Sequence, residues 1–280
     1  MDVVGALIRL LARCFKTLER VFRGLSDLLN RLLPALLSHS ELTELVTDHY
    51  ETVYKEQDVP LILNAPDYQL SNAEMGIIDR CDRHSGRILV LGCGWGREAL
   101  AIARRDITAV GVDTNRSAVS MARRLAKIHG VPAHFHQANF LTLPYAPTTF
   151  DAIFLPSVMY SSIAGMVRRQ TWLTELGLLL KPNGLVMLSF FQEHHPVSRL
   201  KLLTTRLNLL LVKLPGANRA YQRGDDCPGG HFLHAFQDEE EIRMELVGAR
   251  TIIRELNWAR GFAVLAYPPH PHPNERRGDS

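Results

Sequence analysis

The chain has 280 residues, of which 46% are hydrophobic and 22% are charged, and its formal net charge is +3. This composition excludes a mainly disordered chain and predicts one folded domain with an additional element. The four cysteines show no repeated spacing, which argues against a disulfide framework and favours a reducing, cytoplasmic location. No cleavable signal peptide is visible, and no charge-free stretch of about 18 residues predicts a transmembrane helix.

An amphipathic helix is predicted at the N-terminus. Apolar residues recur at alternating spacings of four and three between Val4 and Leu36, so they share one helix face. The other face of this segment, residues 1–37, carries six basic and three acidic side chains, which accounts for the whole net charge of the chain. We call this segment the basic arm, and we expect a kink near Gly24 and an end near Pro34.

Three roles remain open for the basic arm. Its apolar face can pack on the rest of the chain or on a second copy, as most amphipathic helices do. It can instead lie in the plane of an anionic membrane, because basic residues opposite leucine and phenylalanine are typical of such helices. A targeting peptide is the third alternative, and the acidic residues Asp2, Glu19 and Asp27 argue against it.

A ligand-binding loop is predicted after the first buried strand. The continuous apolar run over residues 88–91 is typical of a parallel strand that is buried on both faces. It ends at Gly92, Gly94 and Gly96, whose missing β-carbons let a ligand lie against the backbone. The helix predicted over 97–105 then directs free N–H groups towards that ligand.

A second apolar run, over residues 107–112, ends at Asp113, whose carboxylate can accept two ribose hydroxyls. Asp113 and the glycine loop together predict a nucleoside-binding site. Dinucleotide-binding proteins use the spacing G-x-G-x-x-G, whereas this chain has G-x-G-x-G. The latter resembles motif I of the class I S-adenosylmethionine (SAM) dependent methyltransferases.

Further matches to this family follow in chain order. In the family, an acidic or amide residue after the third strand faces the adenine amino group and its neighbour packs on the ring. By this resemblance, Asn139 is the polar adenine contact and Phe140 is the apolar one. The strand predicted over 150–156 resembles the fourth strand of the family, and residues 181–184 resemble its turn before strand five.

The resemblance covers roughly residues 85–267 and implies a three-layer, Rossmann-like α/β fold with a seven-stranded, mostly parallel sheet. Runs over 251–258 and 261–267 predict the closing antiparallel hairpin of that fold, which a nicotinamide-binding sheet lacks. The resemblance implies SAM as cofactor, bound by Gly92, Cys93, Gly94, Gly96, Asp113, Thr114, Asn139 and Phe140. In one departure, Val90 stands where the family usually has an acid, which leaves the contacts to the methionine part of the cofactor open.

The sequence contains few indications of the methyl acceptor. After strand four, amino methyltransferases carry an Asn/Asp-Pro-Pro-aromatic motif, and residues 155–160 keep only one of these prolines. This argues against methylation of DNA bases or glutamine, and it leaves O-, C- and S-methylation, or a different N-acceptor, open. A long insert over 194–248 is expected to cap the site, and Tyr50 and Tyr54 precede the domain on a helical stretch that resembles segments folding over the cofactor in this family.

No catalytic residue is assigned. Candidates for an acid or base are Tyr160 after strand four and the cap histidines His194, His231 and His234. For each of them, a purely structural role is the competing interpretation. Cys227 lies near two of these histidines, but a fourth ligand with zinc spacing is missing, so we predict no metal site.

The predicted organisation is a helical arm over 1–40, a methyltransferase domain over 41–267 and a disordered Pro/His tail over 268–280. We expect methyl transfer from SAM to a small, hydrophobic or lipid-like molecule. Two alternatives are a nicotinamide-dependent oxidoreductase and a non-catalytic scaffold with a membrane- or partner-binding arm. Nucleic acid is not expected as a partner, because the chain beyond the basic arm has no net charge and no dense basic and aromatic patch.

Overall fold

The computed structural model describes residues 3–53, 70, 72–79, 86–156, 159–193 and 198–268. His194, Tyr54 and the tail beyond residue 268 lie outside the described residues. The helices are α1 (Val3–Asn30), α2 (Leu33–Leu36), α3 (His39–Val53), α4 (Asn72–Ile78), α5 (Arg97–Ala103), α6 (Arg116–His129), α7 (Met166–Leu179), α8 (Arg199–Leu211) and α9 (Glu239–Gly248). The strands are β1 (Arg87–Leu91), β2 (Thr108–Asp113), β3 (Ala133–Gln137), β4 (Phe150–Leu155), β5 (Leu180–Ser189), β6 (Asp225–Asp226), β7 (Leu233–His234), β8 (Ile252–Asn257) and β9 (Phe262–Ala266).

Seven strands form one sheet in the order β3-β2-β1-β4-β5-β9-β8. The first five run parallel, and β9 pairs antiparallel with both β5 and β8. This arrangement confirms the predicted mostly parallel sheet with a C-terminal antiparallel hairpin. The chain moves outward from β1 to β3 and then returns to β4, so the carboxyl ends of β1 and β4 flank the point where strand order reverses.

Two apolar cores lie on the two faces of the sheet. On one face, α4, α5 and α6 pack against β1 and β2 around Leu100, Leu125 and Phe135. On the other face, α7 and α9 pack against β4 and β5 around Trp172 and Leu246. The continuous apolar runs of β1 and β4 follow from this burial on both sides, and the three-layer prediction is confirmed.

One boundary differs from the sequence prediction. The turn expected at 181–184 lies within β5, which begins at Leu180 because this residue pairs with Phe150 before the register shifts. Asn183 has a φ of 65° there, which is the conformation of a bulged residue. Lys181 reaches across the irregularity to Asp151 at 2.8 Å.

The basic arm and the cap expose apolar side chains. Helix α1 is continuous through Gly24, and its described side chains from position 10 to position 27 are exposed. Pro34 is the second residue of the short helix α2 and is buried with Ala35. Within the described part of the chain, no helix has the length and apolar character needed to cross a membrane.

Candidate functional site

The loop between β1 and α5 is built from glycines with left-handed backbone angles. Gly92, Gly94 and Gly96 have φ values of 63°, 50° and 89°, which side chains with a β-carbon rarely adopt. A β-carbon on Gly96 would also lie 2.7 Å from the ring of Phe135. The loop turns sharply, because the Gly96 N–H donates to the Cys93 carbonyl at 2.8 Å, and it is tied to β2 by the Cys93 N–H. Cys93, Gly94 and Gly96 are buried in this turn, whereas Gly92 is partly exposed.

Asp113 stands at the carboxyl end of β2 beside this loop. Its two carboxylate oxygens accept the N–H groups of Gly94 and Asn115, both at 2.8 Å. Burial raises the pKa of this carboxyl, and the backbone donors partly offset that effect. Since a carboxylate has about four acceptor positions, lone pairs remain for two further hydroxyl donors. The geometry thus fits a bound ribose.

Asn139 and Phe140 follow β3 on the next loop. The Asn139 side chain is exposed, and its Oδ1 accepts the Leu141 N–H at 2.9 Å, which stabilises a tight turn. The Phe140 ring meets Trp172 edge to face with centroids 5.8 Å apart, and its carbonyl accepts the indole N–H. The turn and the ring contact fix the direction of this loop.

A cavity that is partly open to solvent lies between these loops and α3. Its walls include five of the eight predicted cofactor residues, and the other three, Cys93, Gly94 and Gly96, do not line it. The five are Gly92, Asp113, Thr114, Asn139 and Phe140. The other lining residues are Thr43, Val46, Thr47, Tyr50, Leu141, Met159, Ser162 and Ile163. The structure therefore brings the predicted residues of three separate loops to one space.

Helix α3 forms one wall of the cavity, and most of its lining residues were not predicted from the sequence. Tyr50 was singled out, but Thr43, Val46 and Thr47 were not, although their spacing places all four on one helix face. That spacing is the signal that could have found them. The Asn115 side-chain amide contacts the Tyr50 carbonyl at 3.4 Å and so links α3 to the loop after Asp113. Burial raises the pKa of the Tyr50 phenol, which keeps it protonated at neutral pH.

Tyr160 lies in the core beside the cavity but does not line it. Its hydroxyl donates to Glu245 Oε1 at 2.5 Å, and Arg169 binds both oxygens of the same carboxylate at 2.7 Å. Burial first, and then the charge of Glu245, raise the pKa of the Tyr160 phenol well above its ordinary value. These contacts give the hydroxyl a structural partner.

The described cap histidines also lie outside the cavity lining. His234 is buried, and its Nδ1 lies 2.7 Å from Asp225 Oδ1. His231 stacks on His49 of α3 with ring centroids 3.8 Å apart, and burial lowers its pKa. Among the described residues, no group of three or more His, Cys, Asp or Glu side chains is placed to hold a metal ion.

Comparison with known proteins agrees with this geometry. Residues 88–184 match a family model described as "Methyltransferase domain". The chain carries a class I SAM-dependent methyltransferase domain. The matched region begins in β1 and ends in β5, so it contains the glycine loop, Asp113 and Asn139. SAM is the cofactor that this domain family implies.

Curated relatives match only part of this chain. The ubiquinone biosynthesis O-methyltransferase of Rhizobium etli is 27% identical over 103 residues, which cover 37% of this chain and 40% of that enzyme. The chain therefore spans about two fifths of the length of this curated relative.

Two solved structures share the fold of the methyltransferase domain. A SAM-dependent methyltransferase from Methanosarcina mazei has a TM-score of 0.51 at 22% identity, covering 71% of this chain and 99% of that one. The CcbJ methyltransferase from Streptomyces caelestis has a TM-score of 0.55 at 14% identity, covering 78% of this chain and 99% of that one. At these identities the likeness extends to the fold alone.

Proposed function

We propose that this protein transfers the methyl group of SAM to a small, hydrophobic or lipid-like acceptor. The observation that carries the proposal is one cavity that is lined by Asp113 and Gly92 and also by Val46, Tyr50, Met159 and Ile163. The first group of residues suits a nucleoside, and the second group suits an apolar molecule. The named activity of the Rhizobium relative, O-methylation in ubiquinone biosynthesis, supports the same class of acceptor.

We assign the cofactor-binding residues from the hydrogen-bond donors and acceptors that they present. Asp113 accepts the ribose hydroxyls, and Asn139 and Phe140 hold the adenine. Thr114 and the backbone of the loop from Gly92 to Gly96, which includes Cys93 and Gly94, hold the remaining part of the cofactor. The positive φ angles of Gly92, Gly94 and Gly96 and the place of Gly92 in the cavity wall support the assignment.

The chain contributes mainly orientation and exclusion of water. When bound, SAM supplies a methyl group that is already activated on its sulfonium. Holding two reactants in line can account for about 7 kcal/mol of the barrier, so no single catalytic side chain is required. Val46 and Ile163 exclude water from the cavity, while the hydroxyls of Thr47 and Ser162 can orient a polar group of the acceptor. Tyr160, His231 and His234 are not needed in this scheme.

The basic arm is proposed to attach the enzyme to an anionic membrane in the cytoplasm. Its leucine and phenylalanine side chains are uncovered by the described part of the chain, with Phe15 73% exposed and Phe22 67% exposed. Membrane attachment would also bring the enzyme close to lipid-like acceptors. Self-association through the same face is the competing outcome.

Radiolabelled SAM and the full chain provide the test, with quinone, phenolic and fatty-acid acceptors compared against polar ones. We expect turnover of the hydrophobic panel and little turnover of the polar panel. Calorimetry should show binding of S-adenosylhomocysteine and none of NAD(P). Equal turnover of polar acceptors would contradict the acceptor class, and binding without turnover on any panel would indicate a scaffold.

A further inference from the structure

Helix α8 has its polar and apolar faces reversed relative to an ordinary surface helix. Thr204 and Asn208 are buried, whereas leucines along the rest of the helix are exposed. Leu203 is 64% exposed and Leu210 is 60% exposed. Leu203, Leu207, Leu210 and Leu214 follow each other at spacings of four, three and four, so they form one outward stripe. Monomeric proteins rarely present such a continuous apolar surface without a partner.

Contacts on its inner side fix this orientation of α8. The Thr204 hydroxyl bonds to carbonyls of its own helix, at Leu200 and Lys201. The Asn208 amide donates to the Arg31 carbonyl at 2.8 Å, just after the end of α1. The loop after α8 is tied in the same way, since the Asn218 amide donates to the Pro34 carbonyl at 2.9 Å. Turning the leucines inward would break the Asn208 bond, whereas the Thr204 bonds lie within the helix.

The charge around the stripe has a single sign. Residues 198–224 contain six basic and no acidic side chains. Arg206 and Lys213 are exposed and lie on the row next to the leucine stripe. Lys201 pairs with Glu193, which leaves most of the basic groups of this segment available to another molecule. A surface that combines exposed leucines with unopposed basic charge is complementary to anionic lipid headgroups over an acyl layer.

We propose that the outward face of α8 is a second membrane-docking surface that binds anionic bilayers together with the basic arm. The proposal deepens the proposed membrane attachment and does not depend on methyl transfer. The arm by itself gives one amphipathic contact, and a second surface adds buried apolar area and attraction to anionic lipids, which both strengthen binding. Since the Arg31 and Pro34 carbonyls accept hydrogen bonds from Asn208 and Asn218, the end of the basic arm lies beside α8 and the loop after it.

Flotation of the full chain with vesicles tests the proposal. Vesicles of phosphatidylcholine with about one third phosphatidylglycerol are compared with pure phosphatidylcholine vesicles. The test variant is Leu203→Asp/Leu210→Asp on α8. The matched control is Met244→Asp/Val247→Asp on α9, where the side chains are 61% and 59% exposed and the first turn is acidic. Both variants add the same charge at the same exposure.

The expected result is binding of the wild type to anionic vesicles and a fall in partitioning of about tenfold or more for the α8 variant only. The variant Arg206→Gln/Lys213→Gln should lose anionic selectivity while its fold is unchanged. Equal binding by the α8 variant and its control would overturn the proposal and leave the basic arm as the sole contact. An absence of wild-type binding would overturn membrane attachment altogether.

Two measurements on the same samples separate the other outcomes. Size-exclusion chromatography with light scattering detects a dimer, and a dimer that dissociates only in the α8 variant would mean that a second copy covers the stripe. Calorimetry with S-adenosylhomocysteine in the absence of vesicles tests the cofactor site. Unchanged cofactor affinity together with lost flotation supports the docking role, whereas loss of both in the α8 variant would mean that the leucines support the fold.

Discussion

Two regions of the molecule, the glycine-loop half and the cap half, are held together by polar contacts that span different distances along the chain. At the glycine loop, the polar contacts join residues close in sequence: Asp113 accepts from Asn115 two residues away and from Gly94 nineteen residues away. On the cap side they join remote segments, since Arg169 binds Glu245 across 76 residues and Asn208 binds Arg31 across 177. The first half is built mainly by neighbouring loops, to which α3 is added by the Asn115–Tyr50 contact across 65 residues, whereas the second is an assembly of distant segments that fixes which surfaces face outward.

The largest effect on stability is expected from Glu245→Gln, which removes the ion pair between Glu245 and Arg169 in the cap half. Arg169 is fully buried and Glu245 is 2% exposed, so the substitution leaves an uncompensated buried guanidinium. Losing one partner of a buried pair costs about 3–5 kcal/mol of unfolding free energy. Thermal unfolding should show a fall in Tm of roughly 10 °C.

The matched control for this substitution is Glu239→Gln on the same helix. Glu239 pairs with Arg243, but both side chains are nearly half exposed, so the change in unfolding free energy should stay within about 0.5 kcal/mol. Equal losses in the two variants would contradict a special role for the buried pair. Because the glycine loop is a separate local unit, the affinity for S-adenosylhomocysteine should survive wherever the Glu245 variant is still folded.

The next effect is expected at Asp113→Asn in the local half. The amide keeps the shape of the side chain but loses charge-assisted bonds, each of which is worth about 1.5–3 kcal/mol. Calorimetry should show binding of S-adenosylhomocysteine weakened by roughly 10- to 100-fold. Asp106→Asn is the control, because Asp106 is exposed just before the other end of β2 and its φ of 59° is one that asparagine tolerates. An unchanged affinity in Asp113→Asn would contradict the ribose assignment.

A pH series sharpens the same prediction. Burial raises the pKa of Asp113, and cofactor binding needs the carboxylate, so wild-type affinity should fall on acidification at a higher pH than for an exposed aspartate. Asp113→Asn should lose this dependence. In the ligand-free protein, folding stability depends on pH with the opposite sign. The raised pKa of Asp113 favours the folded state at a pH below the pKa that this group has in the unfolded chain. This contribution disappears as the pH rises through the pKa of the folded state.

The sequence predicted the local half and not the distant one, for a physical reason. Gly92, Asp113 and Asn139 could be placed because short loops at the ends of parallel strands meet at one edge of a sheet. The contact between Arg169 and Glu245 depends on how α9 packs on α7, which no local spacing encodes. Helix α8 lies in the insert predicted over 194–248, but the outward direction of its leucines is decided by the partners of Asn208 and Asn218.

The smallest effect on stability is expected from Gly24→Ala in α1. This substitution tests whether the basic arm unfolds separately from the rest of the protein. A β-carbon at Gly24 would meet nothing within 4 Å, so the substitution should add about 1 kcal/mol of helix propensity without any clash. Circular dichroism at low temperature should show more helix, while the main unfolding transition stays unchanged because the neighbouring side chains of α1 are exposed. In Gly96→Ala, by contrast, the new β-carbon would approach Phe135 to 2.7 Å, and the main transition should fall. A shifted main transition in Gly24→Ala would mean that α1 unfolds together with the body of the protein, and the two-part description would then fail.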